Sequence, residues 1–317
     1  MRSYAARTAG RNRQTAARVA GILRFYADTV GLAPYPDFTL ATLDDNLPGG
    51  HSPPYFAIFH QALPTTPYSW TGDPVSFDDA YPHFFLAHEV AHQWWGQAVG
   101  WKNYHEQWLS EGFSQYFAAL YAGHDRGPAV LRSLIADMRR TAMPVLAQGP
   151  ISLGYRLGHI QADGRVFRAI VYNKSAVVLH MLRQLIGDDA FFAGIRRFYQ
   201  DWRFQKAGTD DLRAAFEAGT PIKLGRFFDR WIRGAAAPRV RLTSRVADDG
   251  KSAMVRVEQM GDVYDLPLTV AVQYADGTTE EVLLKIMDAV VEERIPLKGA
   301  VRRISVRQEL ARVEIAR

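Results

Sequence analysis

The chain contains no cysteine. That excludes disulfides and thiolate metal ligands, so any metal site has to be built from nitrogen and oxygen donors. It fits reducing and oxidising compartments alike. Long apolar runs are also missing. None approaches the roughly 18 residues that span a bilayer, so stable membrane insertion of this segment is not expected. No apolar stretch follows the first arginines, as a signal peptide would require. Internal repeats and low-complexity tracts are absent. Excess charge is small, because 38 Lys and Arg against 33 Asp and Glu give +5 over 317 residues. Much of it is N-terminal: Arg2, Arg7, Arg11, Arg13, Arg18 and Arg24 precede the first acid, Asp28. Without aromatic interleaving or a recognised binding module, these read as a solvated face, and no nucleic-acid partner is expected. Compartment and oligomeric state are left open.

The 48% hydrophobic content is ample for a sizeable core, and the length suggests about two domains. A first helix is expected from Gln14 to Val30, a strand over Phe38–Thr42, a turn-rich loop from Asp44 to Gly50 and a second strand over Tyr55–Phe59. Helices dominate from Tyr81 to Gly234, with a loop near Pro144 to Arg165. Thr209 with Asp210 and Asp211 makes a good helix start. From Arg239 the apolar period becomes two, as in Leu268-Val270-Val272 and Val282-Leu284. Asp249-Gly250 and Asp276-Gly277 are expected as hairpin turns.

His88-Glu89-Val90-Ala91-His92, followed by Glu111, carries the chemistry. Residues four apart share a helix face, so His88 and His92 can present two imidazoles to one metal. Glu89 is rotated about 100° from His88. That puts it beside the metal, where a carboxylate can take a proton from an activated water. Glu111 supplies an anionic third ligand and leaves a fourth position open, as a catalytic zinc requires. Leu86, Val90 and Trp94 recur on the opposite side of the helix, with Gly96 as its stop. After Glu111, Phe113, Tyr116, Phe117, Leu120 and Tyr121 form an amphipathic stripe read as core. Ser110 stands at the N-cap position and Gly123 at the end. Glu106 is either an outer hydrogen-bond partner of a ligand histidine or a surface acid. His51, His60, His83, His105, His124, His159 and His180 lack ligand spacing and are read as structural.

This wording resembles the gluzincin peptidases, and within them the zinc aminopeptidases of peptidase family M1, the group that includes membrane alanyl aminopeptidases. Trp108-Leu109-Ser110-Glu111-Gly112-Phe113 is similar to that family's Trp-Leu-Asn-Glu-Gly-Phe signature. His88 to Gly96 resembles its active-site helix. Val171-Tyr172-Asn173-Lys174-Ser175 resembles its Tyr-x-Lys-Gly segment, with Ser175 in place of glycine. Arg196 to Trp231 is similar to its helical tail. The resemblance covers most of residues 20–235.

The resemblance implies an α+β fold: a thermolysin-like, mainly helical zinc-peptidase domain over residues 1–237, with a basic N-terminal arm over 1–15, then a small antiparallel β-sandwich over 238–317. It implies a zinc-dependent metallopeptidase acting on peptide substrates. One Zn2+ per chain would sit on His88, His92 and Glu111, with Glu89 and Tyr172 catalytic, the tyrosine stabilising the oxyanion. Family aminopeptidases carry a Gly-x-Met-Glu-Asn strand whose glutamate grips the substrate amine. The corresponding stretch here is Gly49-Gly50-His51-Ser52-Pro53, in which a serine cannot supply that charge-assisted bond. Gly49 and Gly50 would still let the backbone pair with a peptide, and Asp44 or Asp45 are the acids available to compensate. Three readings stay open: an aminopeptidase-like enzyme, an endopeptidase or other zinc hydrolase without free-amine recognition, or a non-catalytic peptide-binding module. Glu89 and Tyr172 argue against the last. A large β-rich domain normally precedes the family's catalytic domain, so this chain is read as either a fragment or a minimal form.

Overall fold

The computed structural model describes residues 2–4, 9–43, 50–60, 81, 83–307 and 310–315. Strand β1 (Arg2–Tyr4) pairs parallel with β2 (Thr39–Leu43), and β2 pairs parallel with β3 (Phe56–His60). Between β1 and β2 runs α1 (Ala9–Val30). Within residues 1–15, read from the sequence as a basic arm, Arg2–Tyr4 is an edge strand and α1 begins at Ala9. A three-residue strand carries no periodic signal, and its pairing depends on residues nearly forty positions away. Val19, Ile22, Tyr26 and Val30 lie on one face of α1 and are fully buried.

Helix α2 (Phe84–Ala91) leads through β4 (Val99–Trp101) and a short 3-10 turn at Tyr104–Glu106 into α3 (Trp108–Arg126). Strand β4 pairs parallel with β5 (Gln205–Ala207). Helix α4 (Pro128–Ala142) opens on proline, tolerated where the first N–H groups have no helical partner. The expected loop near 144–165 is instead a series of short turns, 3-10 at Met143–Gln148 and Ile151–Leu153 and π at Arg156–Ile160. These are too short to show a helical period. Then come α5 (Gly164–Arg168), a π-helical stretch at Ala169–Lys174, α6 (Ser175–Ile186), α7 (Asp188–Trp202), α8 (Thr209–Glu217) and α9 (Gly225–Trp231). The α3 stripe is core as expected: Phe113, Tyr116, Phe117, Leu120 and Tyr121 are all buried, with Trp94, Trp95 and Trp108 around them.

The C-terminal strands begin at Arg239, where the apolar period changes. They are β6 (Arg239–Val246), β7 (Ser252–Gln259), β8 (Leu266–Tyr274), β9 (Thr279–Ile286), β10 (Val290–Pro296), β11 (Val301–Val306) and β12 (Arg312–Ile315). One sheet has the order β10-β7-β6-β12 and the other β11-β8-β9. Both expected hairpins are present, with Gly250 at φ 66° and Gly277 at φ 88°. The pattern is not wholly antiparallel, because β12 pairs parallel with β6. The strands pack on the helices through Trp231, whose indole N–H donates to the Asp265 carbonyl at 3.1 Å, and through Arg226, whose Nε lies 2.9 Å from the Asp265 carboxylate.

Candidate metal centre

Helix α2 ends at Ala91, earlier than the Gly96 stop expected from the sequence. His92 follows it with φ −58° and ψ −21°, still right-handed helical, so the four-residue relation to His88 survives. The two Nε2 atoms lie 3.2 Å apart, and Glu111 Oε2 is 3.4 Å from each. No other such group occurs among the described residues.

The donor set fits a zinc ion. Ligands about 2.0–2.1 Å from a tetrahedral centre stand roughly 3.3 Å from one another, close to all three separations. The tautomer fits as well. His92 Nδ1 lies 3.1 Å from the Trp95 carbonyl, which can only accept, so Nδ1 carries the proton and Nε2 keeps its lone pair. The two Nε2 atoms face each other at 3.2 Å, a separation that suits a shared cation or a hydrogen bond. Burial works to lower the His92 pKa, but the charge and hydrogen bond of Glu111, with Glu89 adding to them, raise it to about 9. Burial pushes Glu111 up, yet the two histidines hold its carboxyl well below the usual range.

Ser110 and Ser114 complete the surround of His92, each with Oγ 3.1 Å from Nδ1. Ser110 is thus not an N-cap, because α3 starts two residues earlier at Trp108 and ends not at Gly123 but at Arg126. Glu106 has neither of its expected roles. Its carboxylate accepts from the backbone N–H of Thr209 at 2.8 Å and from its hydroxyl, capping α8. Pairing of β4 with β5 brings those distant segments together, which no local pattern reveals.

Glu89 is buried beside the histidines and accepts a hydrogen bond from Ser52 Oγ at 2.5 Å. Gly50 lies against it; a Cβ there would come 2.6 Å from the Glu89 carboxyl carbon. Gly49, Asp44 and Asp45 lie outside the described residues. Gln93, unremarked in the sequence, clamps this segment to the zinc-type helix. It accepts from Tyr55 N at 3.0 Å and donates to the carbonyls of Pro53 at 3.1 Å and Phe56 at 3.3 Å.

Tyr172 stands in the π-helical stretch, a widened turn of a kind frequent at functional sites. Its ring stacks on His88 with an interplanar angle of 7°. Burial, then the neighbouring Glu111 and Glu89, raise its pKa well above 10, so the phenol stays protonated and is a hydrogen-bond donor. The departure at Ser175 is accommodated from the other side: a Cβ on Gly112 would come 2.4 Å from Ser175 Cβ, so glycine in α3 makes room for serine in α6. His88, Glu89, His92, Glu111 and Tyr172 line one cavity of about 790 Å³, with Gly50, Ser52 and Ser110. His51 and His159 line it without ligating, His105 bonds the Ser152 carbonyl and His180 bonds Tyr116.

Residues 82–231 match the family model described as the peptidase family M1 domain. Glutamyl aminopeptidase of Bitis rhinoceros is 30% identical over 171 residues, 51% of this chain and 17% of that protein. Aminopeptidase N of Haemonchus contortus is 26% identical over 219 residues, 62% of this chain and 22% of that one. Among solved structures, Legionella pneumophila aminopeptidase A in complex with aspartic acid superposes with a TM-score of 0.77 at 17% identity. It covers 98% of this chain and 36% of its own, a likeness of fold. The chain spans about a fifth of the length of these curated relatives. The matched residues include all three donors together with Glu89 and Tyr172, whereas Gly50 and Ser52 precede them. Among the described residues, no helix is long and apolar enough to cross a membrane.

Proposed function

We propose that this chain is a zinc-dependent metallopeptidase, aminopeptidase-like in ancestry, with His88, His92 and Glu111 holding one Zn2+. One observation carries the reading: the three donor atoms converge at the wall of a cavity that Glu89 and Tyr172 also line. When bound, zinc supplies Lewis acidity, bringing the pKa of a water near neutrality and polarising a carbonyl.

The chain's own residues do the rest. Glu89 accepts the proton of the attacking water and returns it to the departing amine. Tyr172 donates from its hydroxyl to the oxygen that gains charge on the substrate carbonyl, and its raised pKa keeps that proton in place. Gly50, without a side chain, leaves room for a peptide backbone beside Glu89. Ser52 favours a second reading, cleavage without free-amine recognition. Its hydroxyl is engaged with Glu89, and it offers no carboxylate to an ammonium group.

The test is turnover by zinc-loaded protein on peptides with free and with acetylated N-termini, alongside metal analysis. Cleavage of free-amine peptides alone supports the aminopeptidase form, and cleavage of acetylated ones the second reading. Silence on a broad panel with zinc bound overturns peptidase activity.

A further inference from the structure

We propose that Gln115 and Asn173 are positioning residues: their buried amide pair sets where the Tyr172 hydroxyl stands relative to the proposed ligand Glu111. This rests on the peptidase reading above and adds to it two fully buried residues that do not line the cavity.

Gln115 follows Glu111 by four residues on α3, so the two side chains share one helix face. Asn173 directly follows Tyr172 in the π-helical stretch Ala169–Lys174. Gln115 Nε2 donates to Asn173 Oδ1 at 2.9 Å, and both residues are 0% exposed. The bond therefore joins the helix that carries the third ligand to the turn that carries the proposed oxyanion donor. Among the described residues, Gln115 Oε1 and Asn173 Nδ2 have no hydrogen-bond partner. A single bond thus fixes how the two amides face each other, and cutting it leaves a buried polar group unpaired.

Tyr172 needs such a hold. A regular α-helix turns about 100° per residue, whereas a π turn holds an extra residue and sends its side chains in other directions. The stretch is seated closely on α3: a Cβ on Gly112 would come 3.3 Å from the Val171 carbonyl oxygen. Ser175 Oγ donates to the Ile170 carbonyl, five residues back, at 3.3 Å and closes the stretch along its own axis. The amide pair ties it sideways to α3. The Tyr172 ring lies flat on His88, with 5.8 Å between centroids. Rotation of the stretch about its axis would break that stack and move the hydroxyl, and a misplacement of about 1 Å can cost about 10²-fold in rate.

The experiment uses the full chain loaded with zinc and a peptide that it cleaves. Gln115→Met keeps the length of the side chain and removes its amide. It should lower kcat about 10–100-fold and leave KM within about twofold. In a Tyr172→Phe background the same substitution should change kcat by about twofold or less, because a residue acting through the phenol has nothing left to position. An undiminished kcat, or an equal loss in both backgrounds as a merely structural residue would give, overturns the proposal. Asn173→Ser cuts the bond from the other side and repeats the cycle should Gln115→Met fail to fold. Crystal structures of the zinc-loaded variants give a second readout. The Tyr172 ring should leave its stack on His88, and a ring in its original place overturns the proposal. If the unmodified protein with zinc cleaves no peptide, the peptidase reading has failed, and these structures alone decide the positioning.

Discussion

Ser52 donates a hydrogen bond to Glu89 across 2.5 Å, linking a loop residue before β3 to the buried acid of α2 thirty-seven positions later. Gln93 fixes the geometry by holding the carbonyls of Pro53 and Phe56. The residue that the sequence reading sets at the amine-gripping position thus faces the proposed base. Replacing Ser52 by Glu should raise the ratio of kcat/KM for free-amine over acetylated peptides about tenfold or more, since a charge-assisted contact replaces a neutral one. A ratio within twofold of the unmodified protein would count against Ser52 as the determinant.

Glu89→Gln keeps the side chain's shape and its contact with Ser52 but removes the base. Zinc content should remain about one per chain, while kcat falls by about 10²–10⁴, the usual contribution of a positioned general base. Undiminished turnover would remove Glu89 from that role.

Ser110 and Ser114 both sit 3.1 Å from His92 Nδ1, where outer partners orient a ligand imidazole. The double replacement by Ala leaves the Trp95 carbonyl as acceptor and removes the hydroxyls. Competition with a chelator should show zinc affinity lowered about 10–100-fold. Unchanged affinity would make the serines packing residues only.

Lys174 is 1% exposed, and its ammonium donates to the Gly234 carbonyl at 3.1 Å. Burial lowers its pKa to about 8, below the unfolded value of about 10.4. Between those values the unfolded chain binds more protons, so this residue's contribution to stability rises with pH. Below pH 8 the full penalty, about 3 kcal/mol, stands. Lys174→Met should stabilise the protein at pH 7 by about 1–2 kcal/mol, once the lost bond to Gly234 is subtracted. Denaturant titrations should find that advantage shrinking as pH rises from 8 to 10. A pH-independent difference would mean the ammonium is not desolvated.

Much of the centre was legible because it is local. His88, Glu89 and His92 are related by one helical turn, and Glu111 follows on the next helix. The hairpins at Gly250 and Gly277 and the change of period at Arg239 are equally short-range. The elements misread were those whose partners lie far along the chain. Strand β1 falls in the segment that reads as a basic arm, because only its register with β2 makes it a strand. Ser110 reads as a cap, and its distance to His92 depends on how α2 and α3 pack. Glu106 reads as either a histidine partner or a surface acid, and the β4–β5 pairing carries it to Thr209.

By itself the sequence determined the donor set. With no cysteine, and with two histidines one turn apart and a glutamate early in the following helix, the candidate ligands follow from residue type and spacing. The approach of Glu111 to the histidines is set by the packing of α2 on α3. Only the tertiary structure decided what surrounds them: Ser52 on Glu89, the serine hydroxyls on His92, and Gln115 on Asn173 beside Tyr172. Periodicity relates neighbours a few residues apart. The approach of segments tens of residues apart is set by packing and strand pairing over the whole core, which no window of sequence contains.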